Sequence, residues 1–334
     1  MSTAVQVRRR SAGGESTPRC PICTGREVDW EFFAKGIPKS EGRFQVVRCR
    51  ACGLGWTEPR LPDNKIGRWY PAVYYGKDNA RFHWTLETLV RLFRRRRSAV
   101  IRRRTQPGPV LDVGCGRGRI LGTLKEFGYE PHGVEVSEHA AWHARHRMGA
   151  KVHVGDFLDT SFKKGSFHAV IFWHSLEHLS RPIESLRRAH ELLVPGGLLV
   201  VAVPNSESLQ AGLSGRNWFH LDVPRHYFHF GARSLRRAIV ENGFRIAESA
   251  HFSFEQNPYG WLQSLTNMLG FEFNFLYDWL RSDNSRFSPI RRRPLQALGI
   301  LLLLPIFVPL SIVLTGLEAA LQRGGTIEFY AVKR

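Results

Sequence analysis

Three groups of residues in this chain have the types and spacing to do chemistry. The densest is Asp112, Gly114, Cys115, Gly116 and Gly118, in the string Val110-Leu-Asp-Val-Gly-Cys-Gly-Arg-Gly-Arg119. Spaced glycines let a backbone turn sharply and approach a ligand where any Cβ would collide. Cys115 has no partner cysteine nearby and reads as a small filler beside that ligand. The second group is Cys20-Pro-Ile-Cys23 and Cys49-Arg-Ala-Cys52, two C-x-x-C pairs each followed closely by glycine (Gly25, Gly53). That pattern fits a tetrahedral four-thiolate zinc site, which has no open position and is therefore structural. The alternative, a pair of disulfides, would not persist in a cytoplasmic chain. The third group is rich in histidine: His174-Ser-Leu-Glu177-His178, and Asp222-Val-Pro-Arg225-His226-Tyr227-Phe-His229. Imidazoles titrate near neutrality and can take a proton from a hydroxyl.

The elements that must position these groups alternate strand and helix. Val110 to Val113 reads as a buried strand, followed by the glycine turn and a helix that Gly128 stops. His132 to Val136 reads as a second strand with Glu135 at its end, about 20 positions after the turn, where an acidic residue can bond ribose hydroxyls. Ser137 and Gly149 bracket the next helix. Val152 to Phe157 presents Asp156 at a third strand end. Ala169 to Trp173 and Leu198 to Val203 are the fourth and fifth strands, with a helix from Pro182 to Leu193 between them. Phe244 to His251 is the sixth, and Thr326 to Lys333 a last, β-rich one.

The strings LDVGCGRG, GVEVS, GDF, SFHAVIFWHSLEHL and VPGGLLVVAVPN, in this order over about Pro107 to Asn205, resemble the class I S-adenosylmethionine-dependent methyltransferases. The likeness is to the broad group holding ubiquinone-type O-methyltransferases and many sugar or lipid methyltransferases. It implies a Rossmann-like α/β sheet whose last strand is antiparallel and inserts beside the sixth. It implies that Asp112 and the Gly114–Gly118 turn hold the methionine part of S-adenosylmethionine. It also implies Glu135 on the ribose, Asp156 and Phe157 at the adenine, and a substrate pocket after the fourth strand. We place His174 with the cofactor. Glu177, Trp218, Arg225 and Tyr227 are candidate acceptor contacts, with Asn217 and Phe219 beside Trp218 as an aromatic wall; Arg225 suits a phosphate or carboxylate. His178, His226 and His229 are candidate bases. After Glu177-His178 the chain reads Leu-Ser-Arg-Pro. The acidic ligands of metal-dependent quinone O-methyltransferases are thus incomplete, and the sequence assigns no metal to the reaction.

The chain has 334 residues and a net charge of +19, which favours an anionic partner: membrane surface, nucleic acid or phosphorylated substrate. Residues 1–17 read as a disordered basic tail without the apolar core of a secretory signal. Residues 18–60 read as a zinc ribbon and 61–106 as a basic amphipathic helical linker. Its arginines at 91, 94–97 and 102–104 lie beside Phe82, Trp84, Leu86, Leu89, Leu92 and Phe93. Such a helix can lie on anionic headgroups, grip RNA phosphates, or be merely solvated. Residues 107–255 form the catalytic domain, 256–325 a hydrophobic insertion and 326–334 the last strand. Ala297 to Leu317 carries no charge and is long enough to cross a bilayer. The strands flanking the insertion must pair on one side, so we expect a re-entrant hairpin bent near Pro305 and Pro309, with the aromatic stretch Trp261 to Leu280 as an interfacial helix. Burial in a core or dimer interface is the bland alternative.

The expectation is therefore a methyltransferase at the cytoplasmic face of a membrane, acting on an amphiphilic or lipid-linked saccharide or isoprenoid. A soluble nucleotide-sugar enzyme, an RNA methyltransferase using the ribbon, and a non-catalytic cofactor-binding membrane scaffold remain as alternatives.

Overall fold

The computed structural model describes residues 19–34, 44–61, 84–280 and 287–334. The basic tail, Phe82, and the side chains of Trp84, Leu86, Leu89 and Arg91 lie outside the described residues.

Alternating apolar runs and glycine-closed helices give seven strands in one sheet. These are β4 (Pro109–Val113), β5 (Glu130–Glu135), β6 (Lys151–Val154), β7 (Phe167–Trp173), β8 (Leu193–Pro204), β10 (Phe244–Ala250) and β11 (Thr326–Lys333). Their order is β10-β11-β8-β7-β4-β5-β6. Strands β4 to β8 run parallel, and β11 pairs antiparallel with both β8 and β10. Such a parallel core reads as continuous apolar sequence because helices cover both faces. The order reverses between β4 and its neighbours β5 and β7, which opens a crevice at the strands' carboxyl ends. The helices are α2 (Arg119–Glu126), α3 (Glu138–Met148), α4 (Pro182–Leu192) and α6 (Ala232–Glu241), preceded by α1 (Trp84–Arg102) and with the short α5 (Leu209–Ser214) after β8. The expected punctuation is present: Ser137 Oγ accepts from Ala140 N at the start of α3, and Gly149 closes it at φ 64°.

A second, four-stranded sheet joins β1 (Val28–Phe33), β2 (Gln45–Cys49) and β3 (Gly55–Glu58) with β9 (Phe228–His229). Strand β9 belongs to the histidine-rich segment, 170 residues downstream, and pairs Trp56 with Phe228. One hydrophobic cluster runs from Val47 and Trp56 through Phe228 and Phe230 to Val113 and Phe172. The ribbon and the α/β domain therefore share a core.

Between β10 and β11 the chain inserts α7 (Asn257–Met268), α8 (Phe275–Leu280), α9 (Phe287–Arg292) and α10 (Pro294–Ala320). The sequence reading bends the last of these at Pro305 and Pro309, but the structure holds one continuous 27-residue helix. Proline breaks a helix when nothing else supports it. Here one face is seated on the protein on both sides of the prolines, at Ala297 and Ile300 and again at Ser311, Thr315 and Glu318. Nor does the aromatic stretch lie free at an interface. Trp261 and Phe275 are buried, and Phe275 packs with Ala297 and Ile300. Burial in the chain's own core fails too, because Leu298, Leu302, Ile306, Val313 and Leu317 are exposed; Leu302 is 69% so.

Candidate active site and its neighbours

The glycine turn begins where β4 ends. Gly114, Gly116 and Gly118 all take positive φ (77°, 53° and 68°), the region that favours glycine. A Cβ on Gly114 would sit 2.7 Å from Ser175 Cβ, whereas at Gly116 nothing lies within 4 Å, so that backbone faces open space. Asp112 is buried beside this turn. Burial, with the Glu135 carboxylate nearby, pushes its acid up to about 8, against the opposing pull of Arg97. The Glu135 carboxylate accepts from Gly116 N at 2.8 Å and Ser137 N at 2.9 Å, bracing the turn to the start of α3. A buried acid beside an open glycine backbone suits a ligand carrying an ammonium and a carboxylate, as the methionine end of S-adenosylmethionine does. Cys115 is buried, with Gly133 so close that a Cβ there would meet its sulfur at 2.6 Å. Asp156 caps a short turn by accepting from Leu158 N at 2.7 Å. Phe157 departs from its expected place: its ring is in the core, 5.8 Å from Phe172, because an apolar ring at this strand end gains more from packing than from a crevice.

The second half of the site is a cavity of about 630 Å³ beyond the end of β7. Its polar wall holds His174, Glu177, His178, Asp222, Arg225 and His226. Its apolar wall includes Phe93, Phe219, Tyr277 and, from α10, Val308 and Ile312. Arg97 of α1 also reaches it, stacked 4.6 Å over the Trp173 ring and ion-paired with Glu255. Trp173 and Glu255 were not assigned to a site from sequence, Arg97 was read only as one arginine of a basic amphipathic helix, and Val308 and Ile312 only as part of an apolar segment.

Glu177 is 1% exposed, and neither carboxylate oxygen has a hydrogen-bond partner. Burial pushes its acid up to about 7. His174 Nδ1 stands 3.5 Å from Glu177 Oε1, but burial holds His174 down to about 3, so no ion pair forms. His178 Nδ1 donates to the Arg225 carbonyl at 2.9 Å, because a carbonyl only accepts. That contact fixes the orientation of the ring. The His178 and His226 rings stack edge-on with centroids 4.6 Å apart. Burial, then the neighbouring histidines, holds His226 well below its ordinary value. Arg225 is tied to Asp222.

Three expected contributors are not on this cavity. His229 is buried between the two sheets, its Nε2 3.0 Å from Thr57 Oγ1, and burial holds it down to about 3. Tyr227 donates its hydroxyl to the Leu61 carbonyl, and Trp218 donates its indole N–H to Gln210 Oε1. Each polar tip is satisfied inside the protein, which is why these residues are buried rather than aimed at a ligand.

The four cysteines converge as their spacing requires. Cys20 and Cys52 sulfurs are 3.4 Å apart, as are those of Cys23 and Cys49, and all four lie within 4.8 Å of one another as free thiols. A Cβ on Gly25 would stand 3.3 Å from Cys23 Sγ, so the close approach of backbone to sulfur needs glycine.

Comparison with known proteins agrees with this geometry. Residues 83–249, half of the chain, match the family described as "Methyltransferase domain". A ubiquinone biosynthesis O-methyltransferase of Caulobacter sp. (strain K31) is 33% identical over 103 residues, 29% of this chain and 40% of that protein. An uncharacterized 37.1 kDa protein in transposon TN4556 of Streptomyces fradiae is 31% identical over 147 residues, 41% of this chain. The chain spans 40% of the length of each of these two relatives. Among solved structures, the cyclase SpnF superposes with TM-score 0.51 at 17% identity, covering 82% of this chain and 97% of that one. A methyltransferase in complex with the Trm112 activator of Haloferax volcanii gives 0.50 at 17%, covering 81% and 96%. At that identity the likeness is one of fold alone, and the fold itself hosts a cyclase. The family match, with the glycine turn beside Asp112, decides the matter: this chain belongs to the methyltransferase-domain family, and its fold is that of the class I S-adenosylmethionine-dependent members.

Proposed function

We propose that this methyltransferase works at a membrane surface, on the cytoplasmic side, and that its acceptor is an amphiphilic or lipid-linked molecule. The observation that carries the reading is the shared wall of the acceptor cavity: Val308 and Ile312 of the apolar helix α10 face the same space as Glu177, His178 and His226. A substrate with an apolar tail and a polar nucleophile fits such a cavity end to end. The bound cofactor supplies an electrophilic methyl group on a sulfonium. The chain's own residues then hold the acceptor's nucleophile at the polar end, beside Glu177, His178 and His226, and the apolar wall keeps water from the reaction.

The seating of α10 supports an in-plane rather than a spanning helix. Its 27 residues extend about 40 Å. Both its ends are tied to the same body: Phe275 packs on its first turns, and Glu318 near its last accepts from Gln210 N and Nε2 at 2.9 and 3.1 Å. The outward stripe of Leu298, Leu302, Ile306, Val313 and Leu317 is then free to enter one leaflet. Arg95, Arg96, Arg102 and Arg103 of α1 and the turn after it face solvent and suit anionic headgroups, whereas Arg97 and Arg104 are turned inward to Glu255 and Glu248. We assign a structural zinc to Cys20, Cys23, Cys49 and Cys52, a four-thiolate set with no open position.

The test is transfer of labelled methyl from S-adenosylmethionine in a whole extract, with Asp112→Ala alongside. Label in the organic fraction, lost in the variant, is expected. Label confined to aqueous small molecules or to RNA overturns the lipid-linked acceptor and reduces α10 to a matter of location.

A further inference from the structure

We propose that Arg97 is the anion receptor of the acceptor cavity, that it binds a phosphate group carried by the amphiphilic acceptor, and that Glu255 holds the phosphate's place until the acceptor arrives. The inference deepens the acceptor reading above and rests on it. Arg97 leaves α1 and reaches the cavity wall with its guanidinium stacked 4.6 Å over the Trp173 ring. Stacking uses the face of the guanidinium and leaves its planar fork of N–H donors to meet an oxyanion edge-on. Among the described residues the carboxylate paired with it is Glu255. The Arg97 side chain is 14% exposed. Burial pulls its pKa below the ordinary value, to about 10, so it still carries its charge at neutral pH. Glu328 helps to hold that charge from further off, and Arg94 opposes it. The Glu328 carboxylate is itself engaged, accepting from the Tyr330 hydroxyl at 2.7 Å.

Two arginines line the cavity, and their pairings differ. Arg225 is tied to Asp222 within its own turn. The partner of Arg97 comes instead from the short loop between β10 and α7. Phe254, next to Glu255, lines the cavity yet is 46% exposed, and Phe252 is exposed as well. The loop therefore stands at the cavity's mouth, where the Glu255 carboxylate can turn to solvent once a stronger anion displaces it. A phosphate is the stronger partner, with three acceptor oxygens and up to about two negative charges against the single charge of a carboxylate. Phe93 and Phe254, with ring centroids 5.8 Å apart, share the same space with Val308 and Ile312 and form the surface for the apolar chain.

The experiment is equilibrium dialysis of labelled farnesyl phosphate and labelled farnesol, each below its aggregation limit, against the full chain. The wild type should bind farnesyl phosphate at least about tenfold more tightly than farnesol. Arg97→Gln should erase that preference and leave farnesol binding as it was. Arg97→Lys keeps the charge but loses the planar fork, and should recover part of the preference. Glu255→Gln should tighten farnesyl phosphate binding by about threefold, because the competing carboxylate is gone, and an unfolded variant cannot give such a gain.

Opposite signs in the two variants are the signature. A brace between α1 and the loop would instead weaken both ligands in both variants, and that result overturns the proposal. Equal affinity of the wild type for the two probes overturns the phosphate and leaves the amphiphilic cavity standing; binding of neither overturns both. Inorganic phosphate that competes with farnesyl phosphate at equal concentration would point to a site for the free ion and overturns the lipid-borne group. Loss of S-adenosylmethionine affinity in Arg97→Gln, with farnesyl phosphate binding intact, moves Arg97 to the cofactor and overturns the proposal as well.

Discussion

Two clusters of potential ligand side chains stand out among the described residues, and they are built on opposite principles. The four cysteines come from two turns, each pair close in sequence, with Gly25 letting the backbone fold tightly around sulfur and Gly53 turning at a positive φ of 77°. Glu177, His178 and His226 come from two distant loops of the large domain, and their carboxylate is left without a donor at the edge of a 630 Å³ cavity. A saturated cluster can only hold structure. An unsatisfied one is a place where something binds, and the fold bears its cost.

The sharpest way to break this contrast is to disable each cluster and ask what is lost. Cys52→Ser removes a thiolate from the closed set. We expect it to cost about 5 kcal/mol and to lower the thermal midpoint by roughly 10–20 °C, with loss of bound zinc. Calorimetry with metal analysis checks this. A variant as stable as the wild type would mean that the cysteines carry no structural ion. Glu177→Gln should behave in the reverse manner. No donor is lost, and the burden of a buried acid is relieved, so the midpoint should hold or rise. Turnover should nevertheless fall roughly 100-fold or more. A drop in stability with unaltered turnover would make Glu177 a structural residue and erase the distinction.

The two clusters also differ in how far they can be read from sequence. The cysteine site is local: two C-x-x-C strings state it outright. The strand ends at Asp112 and Glu135 are local too, because β4 is an apolar run closed by the glycine turn and Glu135 stands just before the Ser137 cap of α3. The cavity is not local. Its ligands are split between the end of β7 and the segment leading into β9, and its far wall comes from α10, whose uniform apolarity hides which face is docked. Polar tips mislead in the same way. Nothing in the string around Trp218, Tyr227 and His229 says that Gln210, Leu61 and Thr57 will satisfy them. Periodicity likewise does not say that Phe157 turns into the core, nor that seating on both flanks carries α10 through two prolines.

The logic of the unsatisfied acid extends to Asp112 and gives a pH test. Its folded value is pushed up to about 8, from 3.8 in the unfolded chain, by burial beside Glu135. Between those limits the folded protein holds a proton that the unfolded chain has released. The stability of the cofactor-free protein should therefore fall as pH rises from about 4 through about 8, and change little from this source outside that window. An ammonium bound beside Asp112 needs the carboxylate, so cofactor affinity should rise over the upper part of the window, by up to about tenfold per pH unit. Equilibrium binding of S-adenosylmethionine between pH 6 and about 8 measures it. A flat profile in the wild type, or an identical slope in Asp112→Asn, would remove Asp112 from the role.

The smallest expected effect is the most informative, because it joins the two clusters. Thr57 sits on β3 of the cysteine sheet and donates its hydroxyl to the His226 carbonyl at 2.8 Å, while lying 3.0 Å from His229 Nε2. Through β9 the ribbon thus holds the loop that delivers His226 to the cavity. Thr57→Val keeps the shape and removes both bonds, at a cost of about 1 kcal/mol. If the ribbon positions the active site, turnover should fall a few-fold while cofactor binding, governed by Asp112 at the glycine turn, stays unchanged, and Thr57→Ser should restore the rate. A variant that loses stability but keeps its rate would show that the ribbon supports the fold and nothing more. The separation of turnover from cofactor affinity is the discriminating feature, since general loosening of the protein would disturb both.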